Sequence, residues 1–279
     1  LARCPFVFVS EATEETDTTR YAHVKLPATT WGERDGTVTN SERRISRQRP
    51  LFAAPGDARP DWRIVADVAG AMGFDGAFPW KRSADVFREY ARLTAFENDG
   101  ARPLNLGPLA RADYDGISPI QWPVTEAGGT ARLFTDGRFA TPDGRARMVT
   151  VTPKPPVDPV RGGFPLALNT GRIRDQWHTM TRTSLAPALN LHAPEPYLDV
   201  HPADAADAGL EDGQLARVRT AHGEAIAVAR VTDRQRPGAL FMPMHWTDAL
   251  APSGRSNGLI GPHVDPASGQ PEFKHTPAR

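Results

Sequence analysis

The run Pro153-Lys154-Pro155-Pro156-Val157-Asp158-Pro159 puts four prolines into seven residues. A proline fixes φ and lacks the amide hydrogen, so this stretch enters neither a helix interior nor a central strand. The 279 residues are therefore expected to fold as two parts, in keeping with a length that predicts about two domains. We place an α/β segment over 1–97, a proline- and glycine-rich connecting segment with hairpins over 98–160, and a β-rich barrel over 161–279.

In the first part, Phe6 to Val9 is a short apolar, β-branched and aromatic run before a polar loop, which reads as a buried parallel strand. Val24-Lys25-Leu26 reads as the next. Cys4, beside the apolar run, reads as a small buried hydrophobe. Trp62, Val65, Ala66, Ala69 and Met72 recur at helical spacing, with Asp61 placed to cap that helix and Gly73 to stop it. A second helix follows Ser83, its face made by Phe87, Tyr90, Ala91 and Thr94. Four Asp-Gly pairs between Asp99 and Gly144 mark tight turns. In the last part, strands are expected at Leu166–Asn169, Gln214–Thr220, Glu224–Val231 and Ala239–Met242, with one short helix over Ala203–Ala208.

Charge narrows the function. Lys and Arg total 33 against 33 Asp and Glu, so no net field favours nucleic acid or a membrane surface, and neither partner is expected. The one basic cluster is Arg43, Arg44, Arg47 and Arg49. The longest apolar runs fall far short of the roughly 18–20 residues that span a bilayer. The single cysteine excludes an internal disulfide and suits a reducing, cytoplasmic compartment. Opening on Leu1, with apolar residues close behind, the chain reads as a piece of a longer polypeptide.

The segment Thr170 to Thr183, TGRIRDQWHTMTRT, follows a predicted strand and holds three arginines, four threonines, a tryptophan and a histidine with no hydrophobic period. Guanidinium forks, hydroxyls and free amides beside a glycine suit a phosphate or pyrophosphate, and the flat rings suit a heterocycle. A solvated loop whose arginines pair with nearby acids fits the same composition. Glu11, just past the first strand, is placed to accept ribose hydroxyls. Seven of the eight histidines lie from His178 onward, yet none are spaced as ligands, and no HExxH or GxSxG motif occurs. No metal ligand and no catalytic residue are assigned.

Several ordered motifs carry a resemblance that covers nearly the whole chain: FVFVSEATEETDTTRYAHVKLPATTWGERDGTVTNSERRIS, QWPV, RLFTDGRF, PDGRARM, LNTGRIRDQWHTMTRT and SNGLIGPHVDPASGQPEFK. They resemble the C-terminal part of the dimethyl sulfoxide reductase superfamily, molybdenum oxidoreductases that carry a bis-molybdopterin guanine dinucleotide, and within it the assimilatory nitrate reductase catalytic subunits. The resemblance implies the end of an α/β molybdopterin oxidoreductase domain, then a barrel of the double-psi, aspartate-decarboxylase-like type that binds the dinucleotide. It implies that Ser10 and Glu11 meet the nucleotide, with Arg34 where the family often has lysine and Asp61 on guanine. Thr170, Gly171, Arg172, Asp175, Trp177, His178 and Thr179 would wrap pterin and pyrophosphate, completed by Asn257 and Lys274. Trp246 falls near a substrate-funnel position. His23 replaces a family aspartate and takes no role.

In that family the molybdenum ligand and a [4Fe-4S] cluster come from earlier segments, so no turnover is expected from this chain alone. Implied partners are the remainder of its own polypeptide, an electron-donor protein or domain, and nitrate. Formate dehydrogenase and periplasmic nitrate reductase are rival members. A non-catalytic anion-binding or docking module using Arg43 to Arg49 is the rival of another class.

Overall fold

A computed structural model describes residues 1–279, which divide into two compact units, Leu1–Thr150 and Val151–Arg279. In the first, β1 (Phe8–Glu11) and β2 (Val24–Pro27) pair in parallel, from Phe8 opposite Val24 to Glu11 opposite Pro27. The expected strand is present but not buried. Val7 is covered, whereas Phe6 and Phe8 are exposed, the latter by 56%. A two-stranded sheet has too little cover to enclose both faces of a strand. Cys4 is likewise exposed, against expectation. His23 accepts the Val7 amide at Nδ1 (3.0 Å) and stacks on Phe6, a local structural task.

Helix α1 (Asp61–Ala71) forms where the periodicity placed it, and Gly73 ends it with φ of +85°, a left-handed conformation that glycine adopts without strain. Its buried positions are Ile64 and Ala69, while Val65 and Met72, expected inside, are exposed. Asp61 does not cap it; it is the first helical residue, after Pro60. Helix α2 (Ser83–Ala95) starts after Arg82, so Ser83 is likewise one position inside, its hydroxyl donating to the Asp35 carbonyl at 3.0 Å. The Asp85 carboxylate closes this end by accepting the amides of Lys81 (2.9 Å) and Arg82 (3.1 Å), which holds its pKa below the usual carboxylate value.

Strands β3 (Gly36–Thr39), β4 (Arg44–Gln48) and β5 (Ile120–Gln121) form an antiparallel sheet, and β6 (Val124–Thr125) with β7 (Gly128–Gly129) a small hairpin. Ile45, Phe87, Ala91, Leu106, Leu109, Tyr114, Ile117 and Val124 pack into one cluster, so residues just beyond 98 join helix α2 in the core of this unit. The Asp-Gly pairs at Gly100, Gly137 and Gly144 take positive φ, but Gly116 does not. No helix is long and apolar enough to cross a membrane.

The second unit is built on a six-stranded mixed sheet. Its strands are β8 (Leu166–Gly171), β9 (Tyr197–Val200), β10 (Leu215–Arg219), β11 (Glu224–Val231), β12 (Ala239–Pro243) and β13 (Thr276–Ala278), in the order β10-β11-β9-β12-β8-β13. Arg219 and Arg279 exchange backbone hydrogen bonds at 2.9 Å each, and Thr220 bridges Ala278, so the two edge strands meet and the sheet closes on itself. Alternation sends Leu168, Leu198, Val200, Val218, Leu240 and Met242 inward, with Ala225, Ala227 and Ala229 keeping β11 close to its neighbours. Helix α3 (Pro202–Asp207) begins with His201 accepting the Ala203 amide and a proline in its first turn. The hairpin β10–β11 and the strands β8 and β12 lie where the sequence placed them. β9 and β13 were not foreseen: the first is confined between Pro196 and Pro202, and the second is three residues long with Pro277 at its centre, so neither is long enough for a pattern to show.

Candidate functional site

In the second unit, β8 and β12 run parallel, with Pro243 beside Gly171, so the chain leaves both strands at the same end. The predicted loop begins there. Thr170 is buried, its amide and hydroxyl both donating to the Phe273 carbonyl (3.1 and 3.0 Å), while the Lys274 ammonium donates to the Thr170 carbonyl. Gly171 is enclosed. A Cβ there would meet the Phe241 ring at 3.1 Å and Lys274 Nζ at 3.3 Å, so glycine lets the chain pass this close to the ammonium without displacing either.

Beyond Gly171 the loop alternates between exposed chemistry and buried anchors. Arg172, Trp177, His178 and Thr179 are exposed. The Arg172 guanidinium lies over the indole of Trp177 (4.6 Å to the ring centroid), Trp177 and His178 meet edge to face at 4.6 Å, and the indole stays 67% exposed. Gln176 and Met180 point inward. Gln176 donates to Asn190 Oδ1 at 2.7 Å and accepts from the Thr183 hydroxyl, while Asn190 donates to the Thr183 carbonyl at 3.1 Å, a closed ring that ties the loop to the following turn.

Asp175 takes a different arrangement. Arg174 binds its carboxylate in bidentate fashion (2.7 and 3.0 Å) and His192 contacts the same group, which pushes the Asp175 pKa down to about 2. Here the alternative reading of the loop, arginine paired with a nearby acid, describes what is observed. Asn257 sits exposed on a 3-10 turn (Ser256–Leu259), and Trp246 is buried, 4% exposed. Sequence reasoning missed His245, buried between two backbone groups of the loop: Nε2 accepts the Ile173 amide at 3.0 Å, and Nδ1 lies 2.6 Å from the His178 carbonyl. Only the pairing of β8 with β12 reveals that these segments are neighbours.

The first unit gathers a second set. The Asp61 carboxylate receives the Ser10 hydroxyl on one oxygen (3.2 Å) and the Arg34 guanidinium on the other (2.9 Å), and Arg34 Nε also donates to the Thr29 carbonyl at 2.8 Å. Three predicted residues, separated by up to 51 positions, thus share one hydrogen-bonded group at the end of β1. Glu11 is adjacent in sequence, but its carboxylate turns back to accept the amides of Ala12 and Thr13 (2.8 and 3.4 Å). It lines a cavity of about 320 Å³ with Thr13, Lys25 and Leu26.

The arginine cluster is spent within the fold. Arg47 is almost wholly enclosed, bonded to Asp35 (2.8 Å) and Asp115 (3.1 Å) and stacked on Tyr114 at 3.8 Å, while Arg43 and Arg49 donate to backbone carbonyls.

Residues 166–277 match the family of the molydopterin dinucleotide binding domain, from the first residue of β8 into β13, and residues 1–71 match the molybdopterin oxidoreductase family. The chain thus carries a molydopterin dinucleotide-binding domain and a molybdopterin oxidoreductase segment. It is 49% identical over 279 residues to a nitrate reductase of Klebsiella oxytoca, covering 99% of this chain and 32% of that protein. It is 33% identical over 271 residues to the assimilatory nitrate reductase catalytic subunit of Bacillus subtilis, covering 93% and 36%. The chain thus spans about a third of the length of these relatives. Its fold is similar to part of that of acetylene hydratase from Pelobacter acetylenicus, with a TM-score of 0.70 at 17% identity over 99% of this chain and 40% of that one.

Proposed function

We propose that this chain is the cofactor-gripping C-terminal portion of a molybdenum-dependent nitrate reductase, an enzyme that reduces nitrate to nitrite. One observation carries the reading. The exposed Arg172–Trp177–His178 surface and the Lys274 ammonium converge around Gly171, inside the segment that matches a dinucleotide-binding family and in a chain 49% identical throughout to a nitrate reductase.

The residues fit a pterin dinucleotide. Gly171, lacking a Cβ, keeps the Phe241 ring and the Lys274 ammonium packed against the base of the loop. Arg172 and Lys274 supply cationic donors for pyrophosphate oxygens, and Thr179 adds a hydroxyl. Trp177 and His178 offer ring faces to a flat heterocycle. In the first unit, Ser10, Arg34 and Asp61 present donors and a carboxylate suited to a guanine dinucleotide, and Glu11 suits its ribose. We take the cofactor to be a bis-molybdopterin guanine dinucleotide with molybdenum, and the barrel to be of the double-psi type. When bound, that group supplies the two-electron chemistry; this chain's side chains hold, orient and shield it. Asn257 would close over it from its turn. The iron–sulfur cluster, the metal ligand, the electron donor and the nitrate contacts are assigned to the remainder of the polypeptide and its partners, in the cytoplasm.

The test is nitrate reduction by the full-length protein carrying this sequence, driven by a reduced dye, beside formate oxidation in the same preparation. Nitrite formation with no formate turnover supports the reading. Formate oxidation without nitrite formation contradicts it.

A further inference from the structure

His245 is fully buried, yet both ring nitrogens are engaged with backbone of the loop that presents Arg172, Trp177 and His178. The Met244 amide donates to the Gly171 carbonyl at 2.9 Å, which carries the β8–β12 register to the base of the loop and delivers the imidazole beneath it. Its partners determine its protonation. A carbonyl only accepts, so Nδ1 facing His178 carries the hydrogen; an amide only donates, so Nε2 facing Ile173 is bare. The ring is therefore the neutral Nδ1–H tautomer, and a proton added at Nε2 removes the Ile173 bond. Burial, the largest effect, favours the neutral ring, and the Arg172 guanidinium and the His178 ring that face it act in the same direction, against the hydrogen bond to the His178 carbonyl.

The loop needs such a tie. His178 has φ of +43° and Met180 +55°, the left-handed region, which is sterically disfavoured for a residue with a Cβ. The carbonyl that His245 captures belongs to one of these strained residues. The stacked pair Arg172 and Trp177 spans nearly the same length of loop as the two bonds to His245. Buried Gln176 anchors the middle from another side.

We propose that His245 is a positioning residue: as a neutral imidazole it latches Ile173 to His178 and thereby sets the spacing of the Arg172, Trp177 and His178 side chains that grip the cofactor. The inference rests on the cofactor reading above for its purpose, but the latch itself rests on geometry alone. It makes the loop acid-sensitive, because protonation of one buried ring releases one end.

The experiment is hydrogen exchange of the full-length protein, corrected for intrinsic rates and followed from pH 7 downward through the ordinary histidine value of about 6.5, with pterin content measured on the same samples. Three forms are compared: wild type, His245→Ala and His245→Gln, whose amide oxygen can still accept from Ile173 without titrating. Unchanged amides in β11 report an intact barrel in each. The latch predicts that protection of the Ile173 region is about tenfold lower in His245→Ala than in wild type at pH 7, the scale of one lost hydrogen bond, and that the two converge in acid. It predicts that wild-type protection declines as pH falls and that His245→Gln shows no such decline. Pterin content should fall with protection. Equal protection in wild type and His245→Ala at pH 7, or the same pH profile in wild type and His245→Gln, overturns the latch whatever the pterin content. Lost protection with full pterin retention overturns the cofactor reading of this loop and, with it, the role assigned to His245.

Discussion

The guanidinium of Arg34 lies 2.9 Å from the carboxylate of Asp61, joining the 3-10 turn after β2 to the first turn of α1. Both side chains remain substantially exposed, so the pair contributes little to folding, on the order of 1 kcal/mol or less. Its chemistry is available to a ligand. Asp61→Asn should leave the melting temperature of the full-length protein within a few degrees of wild type and lower dinucleotide retention several-fold. Calorimetry beside cofactor analysis checks both, and a large loss of stability with retained cofactor would make the residue structural.

At Gly171 the constraint is steric. The added methyl of Gly171→Ala meets the Phe241 ring at 3.1 Å and Lys274 Nζ at 3.3 Å, a crowding that costs about 1–3 kcal/mol when neighbours cannot yield. The lysine end is mobile and the ring is not, so the expected outcome is a displaced Lys274 and weaker cofactor retention with the barrel intact. Normal retention in this variant would show that the close approach is not used.

Arg47 sets a stability prediction and answers the docking alternative. Its fork reaches Asp35 and Asp115 while its plane covers Tyr114, whose hydroxyl pKa is pushed up to about 12, chiefly by burial. Lysine cannot reproduce two-sided pairing with stacking. Arg47→Lys should cost about 2 kcal/mol in denaturant unfolding, and wild-type protein should show no salt-dependent retention on heparin traceable to this arginine. Retention abolished by Arg47→Lys without a change in stability would revive the docking reading.

Asp85 gives a pH dependence. Its folded pKa is lowered, mainly by the Lys81 amide, so it binds a proton less readily when folded than unfolded. The stability it contributes is present above the ordinary carboxylate value of about 3.9 and is lost as pH falls through the lower folded value. Asp85→Asn should cost about 1 kcal/mol at pH 7 and close on wild type in acid. A difference that stays constant down to pH 2 would contradict this.

What the sequence discloses follows from the range of the interactions involved. Helices α1 and α2 and the hairpin β10–β11 are local, set by spacing and turn residues, and were legible. Which face of α1 is buried was not, since Ile64 rather than Val65 and Met72 meets the rest of the unit. Strands β9 and β13 are short, the first bounded by prolines and the second holding one at its centre, and both pair with distant partners. At the site, the cluster of Arg172, Trp177 and His178 was visible as composition without period. The Ser10–Arg34–Asp61 group emerged only through family resemblance, because no spacing rule joins residues in three separate elements. His245 looked like any other histidine until strand pairing placed it under the loop.

The loop after β8 is the proposed holder of a molybdopterin dinucleotide. Arg172 and His178 are exposed, so their truncation should change stability by no more than about 0.5 kcal/mol, and lost cofactor cannot then be ascribed to unfolding. The direct measurement is pterin and molybdenum content of the purified full-length protein with Arg172→Ala or His178→Ala. Each variant is expected to fold as wild type and to retain only a small fraction of its cofactor; wild-type occupancy in both would contradict a cofactor-holding role for this loop.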